Sequence, residues 1–182
     1  MTPETDNKRI SVTVAQAGIM AALVAVATFI VQVPIPATKG YLNFGDIMIF
    51  VSALTFGPVV GGFAGGVGSA ISDVASGYAS TYAPFTLVIK GVEGIIAGLI
   101  SNRLSRRRDI VAVVVAGVEM VSGYFFAEFY GLSLRWAAAA EVPFNILQIA
   151  VGGVIGIPIA IVLLKRLPGT WMNPRAKKAA IA

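Results

Sequence analysis

The sequence predicts an all-α integral membrane protein, a single membrane domain over residues 1–182 built as a bundle of six transmembrane helices. Three observations predict it. Of the 182 residues, 57% are hydrophobic and only 13% are charged, and the mean hydropathy is +0.82, whereas soluble domains carry roughly 25% charged residues. A spanning helix needs about 20 apolar residues to cross roughly 30 Å of hydrocarbon, so the chain has room for five or six spans and almost nothing else. The basic residues then choose between those counts. Lys8, Arg9, Arg103, Arg106, Arg107, Arg108, Lys165, Arg166, Arg175, Lys177 and Lys178 fall at the two ends or in one loop, against Lys39 and Arg135 on the other side. The positive-inside rule puts both termini in the cytoplasm, and only an even number of spans does that.

Segment one is expected over 10–33, closed by Pro34 and Pro36 because proline cannot continue the hydrogen-bond ladder. It is too long for a signal-peptide core and is expected to remain as an anchor. Segment two, 44–56, stops at Gly57-Pro58, and segment three follows over 58–77, the two forming a tight helical hairpin. Segment four, 84–102, begins after Ala83-Pro84. Segments five and six are expected over 110–130 and 142–164.

Composition excludes several function classes. The chain has no cysteine and no histidine, which removes disulfides, thiol nucleophiles, the commonest metal ligand and the commonest general base. No catalytic residues, metal site or bound cofactor are expected, and the chain is not expected to be an enzyme. The net charge of +5 reflects topology, because the basic residues sit at membrane edges without the interleaved aromatics of a nucleic-acid surface.

The informative residues are the charges inside the spans. A lysine or carboxylate at the bilayer centre costs roughly 2.5–3.5 kcal/mol even on lenient insertion scales, so such groups face an interior or a ligand cavity. Lys90 and Glu93 in segment four lie about 9 and 13 Å from its outer end at 1.5 Å per residue. Asn145 and Gln148 in segment six, and Tyr124 and Glu128 in segment five, come to the same level. Spacings of three and four put each pair on one helix face. Glu119, nine residues from Glu128, turns to the far side. The cluster reads either as an internal ion pair with bridging amides or as an outward pocket for a small polar heterocycle.

The loop before segment two, with Lys39, Tyr41, Asn43 and Asp46, reads either as a lid over that pocket or as a connector ending in a helix cap. Tyr78, Tyr82 and Phe85 suit an interfacial aromatic belt or the pocket mouth. Gly61, Gly65, Ser69 and Asp73 recur every four residues in segment three, beside Gly62, Gly66 and Ala70, and such small faces let helices approach closely. Segment one carries the same device in Ala17, Ala21 and Ala25, with Gly18 and Ala22 beside them. That stripe suits docking within the bundle or against a partner subunit.

The run Gly-Tyr-Leu-Asn-Phe-Gly-Asp-Ile-Met-Ile-Phe from Gly40, the Phe-Gly-Pro-Val-Val-Gly-Gly turn from Phe56, Gly-Ser-Ala-Ile-Ser-Asp-Val-Ala-Ser-Gly-Tyr from Gly68 and Ala-Pro-Phe-Thr-Leu-Val-Ile-Lys-Gly-Val-Glu-Gly from Ala83 together resemble a known family. It is that of the substrate-binding S components of energy-coupling factor (ECF) vitamin importers, in the riboflavin-transporter-like branch that includes hydroxymethylpyrimidine and pyridoxine S components. The resemblance implies a six-helix fold, an outward vitamin pocket and a first helix whose small residues dock on a membrane coupling subunit. That motif falls on Ala17 to Ala21 or on Gly18 to Ala22. It also implies two partner ATPases that use ATP and magnesium, which agrees with the lack of a Gly-x-x-x-x-Gly-Lys-Ser/Thr loop in this chain.

The expected function is therefore high-affinity capture of a vitamin or precursor at the plasma membrane of a prokaryote. A lysine and a glutamate together suit a small neutral or zwitterionic ring, hydroxymethylpyrimidine or a pyridoxine-type vitamin, before riboflavin. An autonomous proton-coupled transporter or small channel is the competing expectation, with Lys90, Glu93 and Glu119 as its relay.

Overall fold

The computed structural model describes residues 3–38, 40–78, 80–102 and 105–167. Lys39, Arg103, Arg175, Lys177 and Lys178, and the side chain of Lys8, lie outside the described residues. Six helices run α1 (Pro3–Ile30), α2 (Gly45–Phe56), α3 (Pro58–Ala75), α4 (Ala83–Ile100), α5 (Arg106–Phe126) and α6 (Val142–Arg166). Between α1 and α2 stands an antiparallel hairpin of β1 (Gln32–Ile35) and β2 (Gly40–Asn43), in register from Gln32 opposite Asn43 to Ile35 opposite Gly40.

That hairpin is the main departure from the expected layout. Helix α1 ends three residues before Val33, because Pro34 biases its predecessor toward extended backbone and the alternation of Val31, Val33 and Ile35 suits a strand. Pro34 is tolerated in a strand at a sheet edge, where no partner needs its missing N–H. A second departure concerns Arg106, Arg107 and Arg108, which form the first turn of α5 instead of a loop. Ser101 Oγ donates to Asp109 at 2.7 Å there, and Arg108 Nε donates to the Ile100 carbonyl at 3.1 Å. The third is at the far end of α5, where Ala127–Gly131 widens into a π-helical turn before a 3-10 turn over Arg135–Ala140.

The helices are inside out relative to a soluble bundle. Ile30, Val59, Val118 and Val154 are each at least 65% exposed, while Asp46, Glu93 and Glu128 are sealed inside. Among the described residues, four stretches, Arg9–Ile30, Ala83–Ile100, Arg106–Gly131 and Arg135–Arg166, are long and apolar enough to cross a membrane. At 12 residues α2 is only about 18 Å long. It forms the buried axis of the bundle. Phe50, Ala53 and Leu54 pack on α4, α5 and α6, and Ile49 and Val51 pack on α1 and α3. Gly57, at φ 99°, turns the chain sharply from α2 into α3, a conformation that favours glycine.

Helices α3 and α4 meet backbone to backbone. A Cβ on Gly61 would lie 2.7 Å from Ala53 Cα and 2.9 Å from the Gly94 carbonyl, and one on Gly66 would lie 2.6 Å from the Leu87 carbonyl. The small-residue stripe of α3 thus divides by depth. Gly61, Gly62, Gly65 and Gly66 hold the helix contact, while Ser69 and Asp73, nearer the hairpin, reach a cavity.

Candidate functional site: a polar cavity under the hairpin

The cavity is small, about 30 Å³, and is walled by α1, the hairpin, α3, α4, α5 and α6. Its position follows from the helix starts. Lys90 lies seven residues into α4, about 10 Å from its first turn, and Asn145 and Gln148 lie in the first turns of α6.

Lys90 is 2% exposed, and its ammonium is paired with Asp46 of α2 and, at 3.1 Å, with Glu93. Gln148 completes the arrangement. Its Nε2 donates to Asp46 Oδ2 at 2.9 Å, and its Oε1 accepts the Asn43 backbone N–H at 2.9 Å. One glutamine thereby ties the foot of the hairpin to the buried charge cluster. Glu93 is fully enclosed below the cavity, and neither of its oxygens makes a hydrogen bond. Lys90 is its one close partner.

The hairpin is fastened at its other end too. Thr38 Oγ1 donates to Glu141, the Tyr82 hydroxyl donates to the Thr38 carbonyl at 2.9 Å, and the Tyr41 hydroxyl donates to Asp73. Burial and the neighbouring Asp73 carboxylate push the Tyr41 phenol up. Burial, then Glu141 and Glu128, do the same for Tyr82. Both phenols therefore stay protonated donors at neutral pH. Tyr78 packs against Tyr41 and Tyr82 with ring centroids 5.2 and 6.0 Å apart. Through Gly40, Tyr41 and Asn43 the hairpin forms part of the cavity wall.

A family model described as the ECF-type riboflavin transporter S component matches residues 9–165. The chain belongs to that family. A protein of Pyrococcus woesei, described only as an uncharacterized protein in the gap 3' region, is 48% identical over 145 residues, which is 79% of this chain and 96% of that one. The S component of a bacterial ECF transporter shares the fold with a TM-score of 0.63, over 88% of this chain and 97% of its own, at 23% identity. This S component is accordingly a membrane transport subunit that binds a vitamin-type substrate, not an enzyme.

The S component brings seven of the ten expected pocket residues to the cavity wall: Lys90, Asn145, Gln148, Tyr124, Tyr41, Asn43 and Tyr82. Three lie elsewhere. Asp46 and Glu93 sit behind Lys90 as its counter-ions. Glu128, expected on one face with Tyr124, lies in the π turn at Ala127–Gly131, a common device at functional sites. Its carboxyl instead lies beside Tyr82, 3.5 Å from the hydroxyl, and in hydrogen-bond reach of Glu141. Glu119 is half-buried with one enclosed, unpartnered oxygen, and its charge is felt by Lys90 and Glu93. It is not turned away from the cluster as its spacing suggested.

Thr28, Gly40, Ser69, Asp73, Thr86 and Glu141 also line the cavity. Asp73 stood in the small-residue stripe and was read as part of helix packing. Glu141 left a legible signal, an acid just before the apolar run that opens with Val142-Pro143.

Proposed function

We propose that this S component captures a vitamin carrying a heteroaromatic ring and hydroxyl groups, and delivers it through an ECF module of one membrane coupling subunit and two ATPases. The observation that supports this best is the polar cavity closed by the hairpin. It offers a lysine, amides and phenols for a ring and its substituents, with aromatic faces from Tyr41, Tyr82 and Tyr124. Riboflavin is the first candidate, on the description of the family. A hydroxymethylpyrimidine or pyridoxine-type ring is the second, favoured by the buried lysine beside carboxylates; either ligand would have to widen the cavity, which holds about 30 Å³ as it stands. We place the protein in a prokaryotic plasma membrane with both termini cytoplasmic and the hairpin outside, on the distribution of its basic residues.

The first helix supplies the docking face. Ala17 and Ala21 are buried, with Ala21 and Val24 against Gly68 of α3, where a Cβ would lie 2.8 Å from Val24 Cβ. Gly18 and Ala22 are exposed, Gly18 has open space where a Cβ would stand, and Ala25 lies at the edge between the faces. On that difference in exposure we assign Gly18 and Ala22 to the partner face and Ala17 and Ala21 to packing inside. Gly18→Leu or Ala22→Leu is expected to leave ligand binding by the isolated protein unchanged while abolishing uptake in cells that carry the coupling module. Ala21→Leu is expected to lower the melting temperature instead. Uptake in cells lacking the module would point to an autonomous transporter and defeat the proposal.

A further inference from the structure

Three polar groups on the α1–α3 side of the cavity make no direct contact with the cluster around Lys90, although Asp73 feels the charge of its ammonium. Thr28 of α1 and Ser69 and Asp73 of α3 line the wall, and each is at most 3% exposed. Thr28 Oγ1 and Asp73 Oδ2 are enclosed there without a hydrogen-bond partner. A buried polar atom left unpaired loses its hydration with nothing gained, so an unpaired carboxylate oxygen on a cavity wall marks where a ligand donor belongs. Thr86 runs alongside Asp73, and its hydroxyl, which accepts from Tyr124 at 3.0 Å, keeps its own proton for the Asp73 carboxylate; the alignment of that contact leaves Oδ2 open to a better-placed donor. Among the described residues no group of three or more acidic side chains is placed to hold a metal ion there. The other Asp73 oxygen, Oδ1, accepts the Tyr41 hydroxyl from β2.

One carboxylate thus has an oxygen on the hairpin and an oxygen facing the cavity. We propose that Asp73 Oδ2 accepts a hydrogen bond from a hydroxyl group of the vitamin, so that Asp73 both selects hydroxylated ligands and couples their arrival to closure of the hairpin. Thr28 and Ser69 beside it offer hydroxyls that donate to or accept from the same alcohol. The coupling is reciprocal. Whatever affinity the ligand gains from the closed hairpin, the hairpin gains in closure from the ligand. This inference rests on the vitamin-binding reading above, and deepens it by naming the feature of the substrate that the α3 wall recognises.

The test compares pyridoxine with 4-deoxypyridoxine, which lacks one hydroxyl, and riboflavin with lumiflavin, which lacks the hydroxylated ribityl chain, on the full chain in detergent. Asp73→Asn keeps the volume of the side chain but places an amide against the ligand. It is expected to weaken binding of the hydroxylated member of the pair that binds by roughly 10- to 100-fold, and to leave the deoxy analogue nearly unchanged. Tyr41→Phe, which removes only the hairpin contact, is expected to weaken both members equally, through faster dissociation. Amide exchange over 40–43 is expected to slow on ligand addition in the wild type and not in Asp73→Asn. Equal losses for both members in Asp73→Asn, or ligand protection of the hairpin persisting in that variant, overturn the inference while leaving vitamin binding intact. Failure of the wild type to bind any of the four compounds or hydroxymethylpyrimidine overturns the vitamin reading and this inference together. Thr28→Val carries the same comparison if Asp73→Asn does not fold.

Discussion

Lys90→Met is expected to destabilise the protein by about 3–5 kcal/mol, the cost of removing one partner from a buried ion pair, read as a drop in melting temperature in detergent. The methionine retains the bulk of the stem, so packing changes little. What changes is the charge. Asp46 and Glu93 are both sealed from water, and without the ammonium Asp46 keeps only Gln148 as a partner while Glu93 keeps none. Glu93→Gln is therefore not expected to rescue Lys90→Met by itself. Adding Asp46→Asn neutralises the second carboxylate and is expected to restore most of the stability without restoring ligand binding, because Lys90 also lines the cavity. Full recovery of binding in the charge-free variant would assign the cluster a purely architectural role.

The second large effect is expected at the contact of α3 and α4. Gly61→Val should cost about 3 kcal/mol or more, because overpacking is expensive even where side chains can yield, and here the added Cβ meets Ala53 Cα and the Gly94 carbonyl. Backbone cannot step aside without separating α2, α3 and α4 together. Gly18→Val, on the open face of α1, provides the control, with a melting temperature expected to stay near that of the wild type. Aggregation of Gly61→Val during extraction, measured by size-exclusion profile, reports the same loss.

The bundle was legible in the sequence because apolar length and basic-residue placement are one-dimensional signals. The turn at Gly57-Pro58 and the start of α4 at Ala83-Pro84 were readable for a similar reason, since proline and glycine act locally. The hairpin was harder. Four-residue strands beside a long apolar helix leave no separate period, and only Pro34 between β-branched neighbours marks the change. Within the site, the depth estimate placed Lys90, Asn145 and Gln148 at one level, but helical arithmetic assumed 3.6 residues per turn throughout α5. Glu128 sits in the π turn at Ala127–Gly131, where its carboxyl meets Tyr82 and Glu141. Partners across long separations were invisible. Lys90 was read against Glu93 because they are three apart, whereas Asp46, 44 positions away, is its hydrogen-bonded counter-ion. Asp73 escaped because a residue in a small-residue stripe carries two meanings, close packing at the gly-rich end and cavity lining at the other.

The most direct test of the central claim, that the cavity beneath the hairpin captures a vitamin by itself, is equilibrium binding to the purified chain with neither ATP nor an ion gradient. Native mass spectrometry against riboflavin, hydroxymethylpyrimidine, pyridoxine and thiamine is suited to it, with Lys90→Met/Asp46→Asn/Glu93→Gln as the paired control. The account predicts one tightly held ligand in a one-to-one complex with the wild type, lost in the control variant. No retained vitamin, or one held equally by both proteins, would contradict it.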